Sequence, residues 1–84
     1  MILKVLSVFD DKGAIYGMPM FVSNVNLAIR SFSDAVIESG SKLGVHACDF
    51  HLYVLGDFDN VSGKFISLDS PEFICHAVDF VKKE

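Results

Sequence analysis

The reactive side chains of this 84-residue sequence fall into two places: His46, Cys48 and His51 in one short stretch, and the adjacent Cys75 and His76 downstream. Zinc is the first chemistry such residues suggest. It wants four converging ligands, usually from paired knuckles or a helical His pair. A three- or four-ligand site here would draw on Cys48, His51 and Cys75. The spacing is irregular, and on a helix the neighbours Cys75 and His76 would point about 100° apart. The competing reading is two thiols behaving as small hydrophobes beside half-exposed histidines, and it is the one favoured. Nucleophilic catalysis would need one of the thiols beside a histidine and partly exposed. No Gly-rich phosphate loop or Ser–His–Asp order accompanies them. The chain is therefore read as non-catalytic and without a cofactor.

The stretch "GDFDNVSG" (56–63) raises calcium. An EF-hand loop needs oxygen ligands at positions 1, 3 and 5, Gly at 6 and Glu at 12. Counting from Asp57, those last three places hold Val61, Ser62 and Leu68, so the pattern fails. As a hairpin the same residues make sense. Asp59 and Asn60 bond their own backbone, and Gly63 takes positive φ to re-enter the next strand.

Aromatic side chains are the third signal. Phe21, Phe32, Phe50, Tyr53, Phe58, Phe65, Phe73 and Phe80 could stack bases in part. A single-strand platform also needs cations, and the sequence offers only Lys4, Arg30 and Lys64 as companions, with Tyr16 as a further contact candidate. Core packing accounts better for most of the rings.

The elements that must position these groups are legible by pattern. "ILKVLSVF" (2–9) reads as a strand buried on both faces near its middle, ended by the turn cluster "DDKG". "AIYG" returns as a short strand, and Pro19 makes "MPMF" an extended connector. Residues 24–38 are a helix: Val25, Ala28, Ile29, Phe32 and Val36 form one apolar stripe. Ser23 or Asn24 caps it, and Gly40 supplies a left-handed stop. Residues 41–50 read as irregular, "HLYVLG" (51–56) and "KFISLD" (64–69) as strands. "SPEFICHAVDFVKKE" reads as a second helix. Ser70 would cap it, Pro71 open it, Phe73, Ile74, Ala77, Val78 and Val81 form its stripe, and Lys82 and Lys83 suit its dipole. The expected fold is α+β, a single domain over 1–84. A small antiparallel sheet of three to four strands packs against one long helix, with a short C-terminal helix.

Composition sets the class of partner. Half the residues are hydrophobic (51 %), against 21 % charged. For so small a chain that implies a dense core, an apolar association face, or both, and a homodimer is expected. The net charge of −4 with scattered cations disfavours strong nucleic-acid binding. No apolar run approaches the ~20 residues a membrane helix needs. The N-terminus lacks a signal-peptide pattern, so the thiols are expected to stay free in a reducing cytoplasm.

Taken in order, "VLSVFDDKGAIYGMPMF", "NLAIRSFSDAV" and "GVHACDFHLYVLGDFD" followed by Gly63 and a Pro-headed tail resemble the small non-structural proteins of gokushoviruses (Microviridae), phages with single-stranded DNA genomes. The resemblance runs from Val5 to about Pro71. Its most specific parts are Tyr16 with Pro19 and Phe21, Arg30 with Phe32, and Asp49, Phe50, Tyr53, Gly56, Phe58, Asp59 and Gly63. The chain departs from it at Ala47 and Cys48, where a proline and an acidic residue are expected. The resemblance implies a C-protein-like factor of late viral DNA synthesis and genome packaging. Such a factor would work in the host cytoplasm, mainly by binding the replication initiator, a host helicase or the procapsid. The alternative it leaves open is a direct single-stranded DNA-binding module using a sheet face with Lys4, Arg30, Lys64 and aromatics.

Overall fold

Strand β1 (Ile2–Asp10) is the organising element of the computed structural model, which describes residues 1–81. Its β-branched and aromatic residues suit a pleated surface that is covered on both sides. Val5, Leu6 and Ser7 are consecutive buried residues, so both faces are indeed covered at the middle. One edge of β1 pairs in succession with β2 (Ile15–Tyr16) and β3 (Met20–Val22). Between them the chain from Gly17 to Pro19 bends past β1, with the Gly17 N–H donating to the Val8 carbonyl at 2.9 Å. The other edge pairs along its whole length with β4 (Phe50–Asp59), which in turn pairs with β5 (Phe65–His76). The sheet is antiparallel and five-stranded, in the order β2-β1-β4-β5 with β3 beside β2 on β1. The expectation of three to four strands was short because the "MPMF" connector becomes β3.

Helix α1 (Val25–Ile37) forms where the apolar stripe placed it. Asn24 caps it, its Oδ1 accepting from the Asn26 and Leu27 N–H groups at 2.8 and 3.4 Å. Ala28, Phe32 and Val36 are buried, and Val25 and Ile29 pack beside them. Gly40 takes its positive φ of 75° two residues beyond the Glu38 cap. The segment expected to be irregular folds into a four-residue helix α2 (Lys42–Val45), capped by Ser41, and a 3-10 turn over Ala47–Asp49. The core lies between α1 and one face of the sheet, built on Leu6, Phe50, Leu52 and Val54 with Ala47 and Ala77 closing its end.

The expected C-terminal helix is corrected by the structure. From Phe65 the chain runs as β5 to His76, and only a 3-10 turn, Ala77–Phe80, follows. Ser70 and Pro71 are therefore not a helix start, and Phe73, Ile74, Ala77, Val78 and Val81 do not share a stripe. The reason is tertiary. The long edge of β4 supplies ladder partners at Tyr53↔Phe73, Leu52↔Cys75 and His51↔His76, which outweigh a local capping signal. Pro71 is accommodated because the register shifts between Val54↔Glu72 and Gly56↔Ser67, leaving residues 68–71 bulged on an edge strand. Lys82 and Lys83, assigned to that helix's dipole, lie outside the described residues.

Candidate binding face

Alternation along the strands sorts the side chains into two faces. On β1, Leu6 and Val8 point into the helix-covered core, and Ser7 and Phe9 point the other way. On β4, Phe50, Leu52 and Val54 line the core, while His51 and Tyr53 share the opposite face. Three rings, Phe32, Phe50 and Phe80, belong to the core side. All the other Phe and Tyr rings stand on the face that no helix covers.

They form two clusters. In the first, Phe9 packs on Tyr16 with centroids 4.7 Å apart, Tyr53 meets both edge-on, and Phe73 continues the row 5.8 Å from Tyr53. In the second, Phe58 lies 4.7 Å from Phe65, and Phe21 contacts both at 5.5 and 6.1 Å. Each such pair contributes about 0.5–1.5 kcal/mol beyond burial, yet four of the rings stay open to solvent while Phe9, Tyr53 and Phe58 are half-buried among them. Phe65 is 63 % exposed, Phe73 45 % and Phe21 43 %. A shallow apolar cleft lined by Val5, Pro19, Gly56 and the Phe21 and Phe65 rings adjoins the second cluster. Ser7, although wholly buried, is satisfied: its hydroxyl donates to the Gly17 carbonyl at 2.7 Å.

At one end of the face, residues far apart in sequence meet. His51 Nε2 lies 2.6 Å from Asp11 Oδ2, and its Nδ1 lies 2.7 Å from His76 Nδ1. The His76 ring in turn lies 4.4 Å from Phe73. The neutral or protonated His51 ring donates from Nε2 to the carboxylate, so Asp11 fixes its orientation. The chain of contacts ties the β1–β2 turn, β4 and the end of β5 together. It lacks a nucleophile, because Cys75 packs against the core on the other side of the sheet. Burial, and secondarily the charge of Asp79, pushes the Cys75 thiol above its ordinary value, the reverse of an activated cysteine.

The candidate zinc set therefore separates. Cys48 is exposed on the 3-10 turn after α2, Cys75 faces the core, and His51 faces away from it. Among the described residues no group of three or more His, Cys, Asp or Glu side chains is placed to hold a metal ion. The acidic stretch is a hairpin turn, as its residues indicated. Asp59 Oδ1 accepts from the Val61 and Ser62 N–H groups at 2.9 and 3.4 Å, which holds its carboxyl below the ordinary value. Gly63, at φ 78°, sends its N–H back to the Asp59 carbonyl at 2.8 Å. Asp57 is engaged elsewhere, with Lys4 Nζ 3.0 Å from its Oδ1.

Nor do the contact candidates converge. Tyr16 stands on the open face, Lys4 is paired on the core side of β1, Arg30 is exposed on α1, and Lys64 sits in the hairpin loop. Of the resemblance residues, Phe32 and Phe50 are core and Pro19 lines the cleft. Asp49 lies in the 3-10 turn, its carbonyl accepting from the Asp11 N–H at 2.9 Å. Phe9, Asp11 and the meeting of His51 with His76 escaped the sequence reading. Period-2 alternation in β1 marked Phe9, but only strand register brings Asp11 to His51.

No helix among the described residues is long and apolar enough to cross a membrane. No curated protein and no solved structure matches the chain. A family model does match it, that of the Phage ORF5 protein, over residues 3–80. With nearly the whole sheet, both helices and the open aromatic face inside that span, the chain belongs to the Phage ORF5 protein family and is a phage protein.

Proposed function

We propose that this chain is a non-catalytic accessory protein of a gokushovirus-type phage, serving late single-stranded DNA synthesis and genome packaging in the host cytoplasm through protein–protein contacts. One observation carries the reading: a helix-free sheet face rich in exposed rings, on a chain of net charge −4 whose Lys4, Arg30 and Lys42 lie off that face. Exposed contiguous apolar surface marks association. Interface cores are rich in aromatics and depleted in charge. The partners would be the replication initiator, a host helicase or the procapsid. The test is an infection with the gene disrupted. Double-stranded replicative DNA should accumulate normally while packaged single-stranded genomes are lost, and the wild-type chain should co-purify with the initiator or procapsid. Undiminished packaging would sink the proposal.

A second reading, direct single-stranded DNA binding, is favoured by the rings themselves, since bases stack on sheet-borne aromatics. It lacks the basic groove that tracks phosphates. Titrating labelled oligonucleotide at two salt concentrations decides it. A dissociation constant no weaker than ~10⁻⁴–10⁻⁶ M, falling off steeply with salt, is what even a non-specific binder shows.

A further inference from the structure

We infer that the open aromatic face is covered by a second copy of this chain, giving a two-fold dimer in which two sheets stack face to face. This deepens the reading above, in which the same surface meets protein, and it names that protein. A sheet with one face on a helix and the other apolar is a layered architecture missing its outer layer, and stacked sheets about 10 Å apart supply one.

Charge allows a like copy. Two chains of net charge −4 repel unless their acids stay out of the contact. Here the Asp57 carboxylate is paired on the core side and the Asp59 carboxylate is turned into the hairpin loop, which leaves Asp11 at one corner and the exposed Asp69 and Glu72 of β5 as the acids the contact must hold at its rim. Nucleic acid would instead need clustered cations, and Lys4, Arg30 and Lys42 lie on the helix side of the molecule while Lys12 and Lys64 sit apart in two different turns.

Area sets the geometry. The molecule measures 47 × 23 × 17 Å, so the broad face offers at most roughly 1,000 Å², against about 800 Å² per partner in a standard interface. Most of the face must therefore engage, and both ring clusters with it. A two-fold axis passing between them does this, setting one copy's Tyr16–Tyr53 cluster against the other's Phe65 cluster. Phage partners would then dock on the dimer's remaining surfaces.

The solution mass and the tyrosines test this together. There is no Trp, and both Tyr stand on this face, so intrinsic fluorescence reports it alone. The wild-type chain should run at twice its 9.2 kDa at tens of micromolar, by light scattering or sedimentation. Its tyrosines should become less quenchable by acrylamide as concentration rises. Phe65→Asp and Phe73→Asp, one in each cluster, should each weaken the dimer at least about tenfold. Ile37→Asp on α1, about as exposed as Phe73 but off the face, should not. A wild-type monomer at about 100 μM overturns the inference, as does a dimer indifferent to both face variants. So does a monomer whose face captures oligonucleotide. Should the variants unfold, the wild-type quenching still decides, because unchanged quenching across concentration refutes it. A monomer that binds the initiator or procapsid overturns the dimer and leaves the adaptor; a dimer that binds neither does the reverse.

Discussion

Gly56 is the position where the smallest change should cost most. It lies opposite Ser67 at the point where both ladders of β4 shift register, against β1 between Val5 and Leu6 and against β5 between Val54 and Gly56. The bulges bring the β5 backbone unusually close. A Cβ at residue 56 would overlap the Ile66 carbonyl oxygen and lie 3.1 Å from its carbon and 3.0 Å from Ser67 Cα. All three are backbone atoms, so no side chain can rotate aside. Gly56→Ala must push β5 outward or break the ladder. Overpacking of this kind costs about 1–3 kcal/mol, offset by the ~0.4–1 kcal/mol that losing a glycine removes from unfolded-state entropy. The net loss is roughly 1–2 kcal/mol, which in a domain of this size lowers Tm by about 4–16 °C. Thermal and urea unfolding followed by far-UV circular dichroism measures it. Gly63 is the contrast: a Cβ there meets nothing within 4 Å, and the only cost is φ 78°. Asn, which tolerates the left-handed region, should restore stability at 63 and not at 56. A Gly56→Ala variant as stable as wild type would refute the close-approach argument.

Three further outcomes are expected. Ser7→Ala removes the buried donor to the Gly17 carbonyl and should destabilise by about 1–2 kcal/mol in urea titrations. Asp59 is ionised more readily folded than unfolded, so its contribution is present above the ordinary carboxylate range and lost as pH falls through its lowered folded value. Asp59→Asn should therefore flatten the acid limb of the stability profile, as read by urea midpoints between pH 2 and pH 6. For the thiols, Cys48, exposed, should react with a maleimide well before Cys75, whose protonated form is favoured by burial. Equal labelling rates in the folded protein, followed by mass spectrometry, would overturn that order.

Much of the fold was legible where local physics suffices. The α1 stripe and the Asn24 cap concern residues within two turns of one another. The 56–63 turn is set by Asp59 bonding the next backbone N–H groups and by Gly63's positive φ. β1 was readable because its apolar run is interrupted only at Lys4 and Ser7. The segment from Ser70 was not, since its capping pattern is a genuine helix signal that only the neighbouring β4 edge overrides. The candidate site divides the same way. Tyr53, Phe58 and Phe65 were identified as rings, but core packing was the better reading for most of the rings until the sheet's covered side was known.

What the sequence determined by itself is the set of local choices: which stretch coils by its 3.6-residue stripe, where the chain turns, and that apolar surface exceeds what a small core buries. The tertiary structure alone decided which face of the sheet α1 covers, and hence which rings are left outside. It also decided that Asp11, His51 and His76, separated by 40 and 25 residues, share one corner while Cys75 turns away. The physical reason is strand pairing. A side chain's face follows from its parity, and its neighbours from register, both of which are fixed by hydrogen bonds to strands distant in the chain.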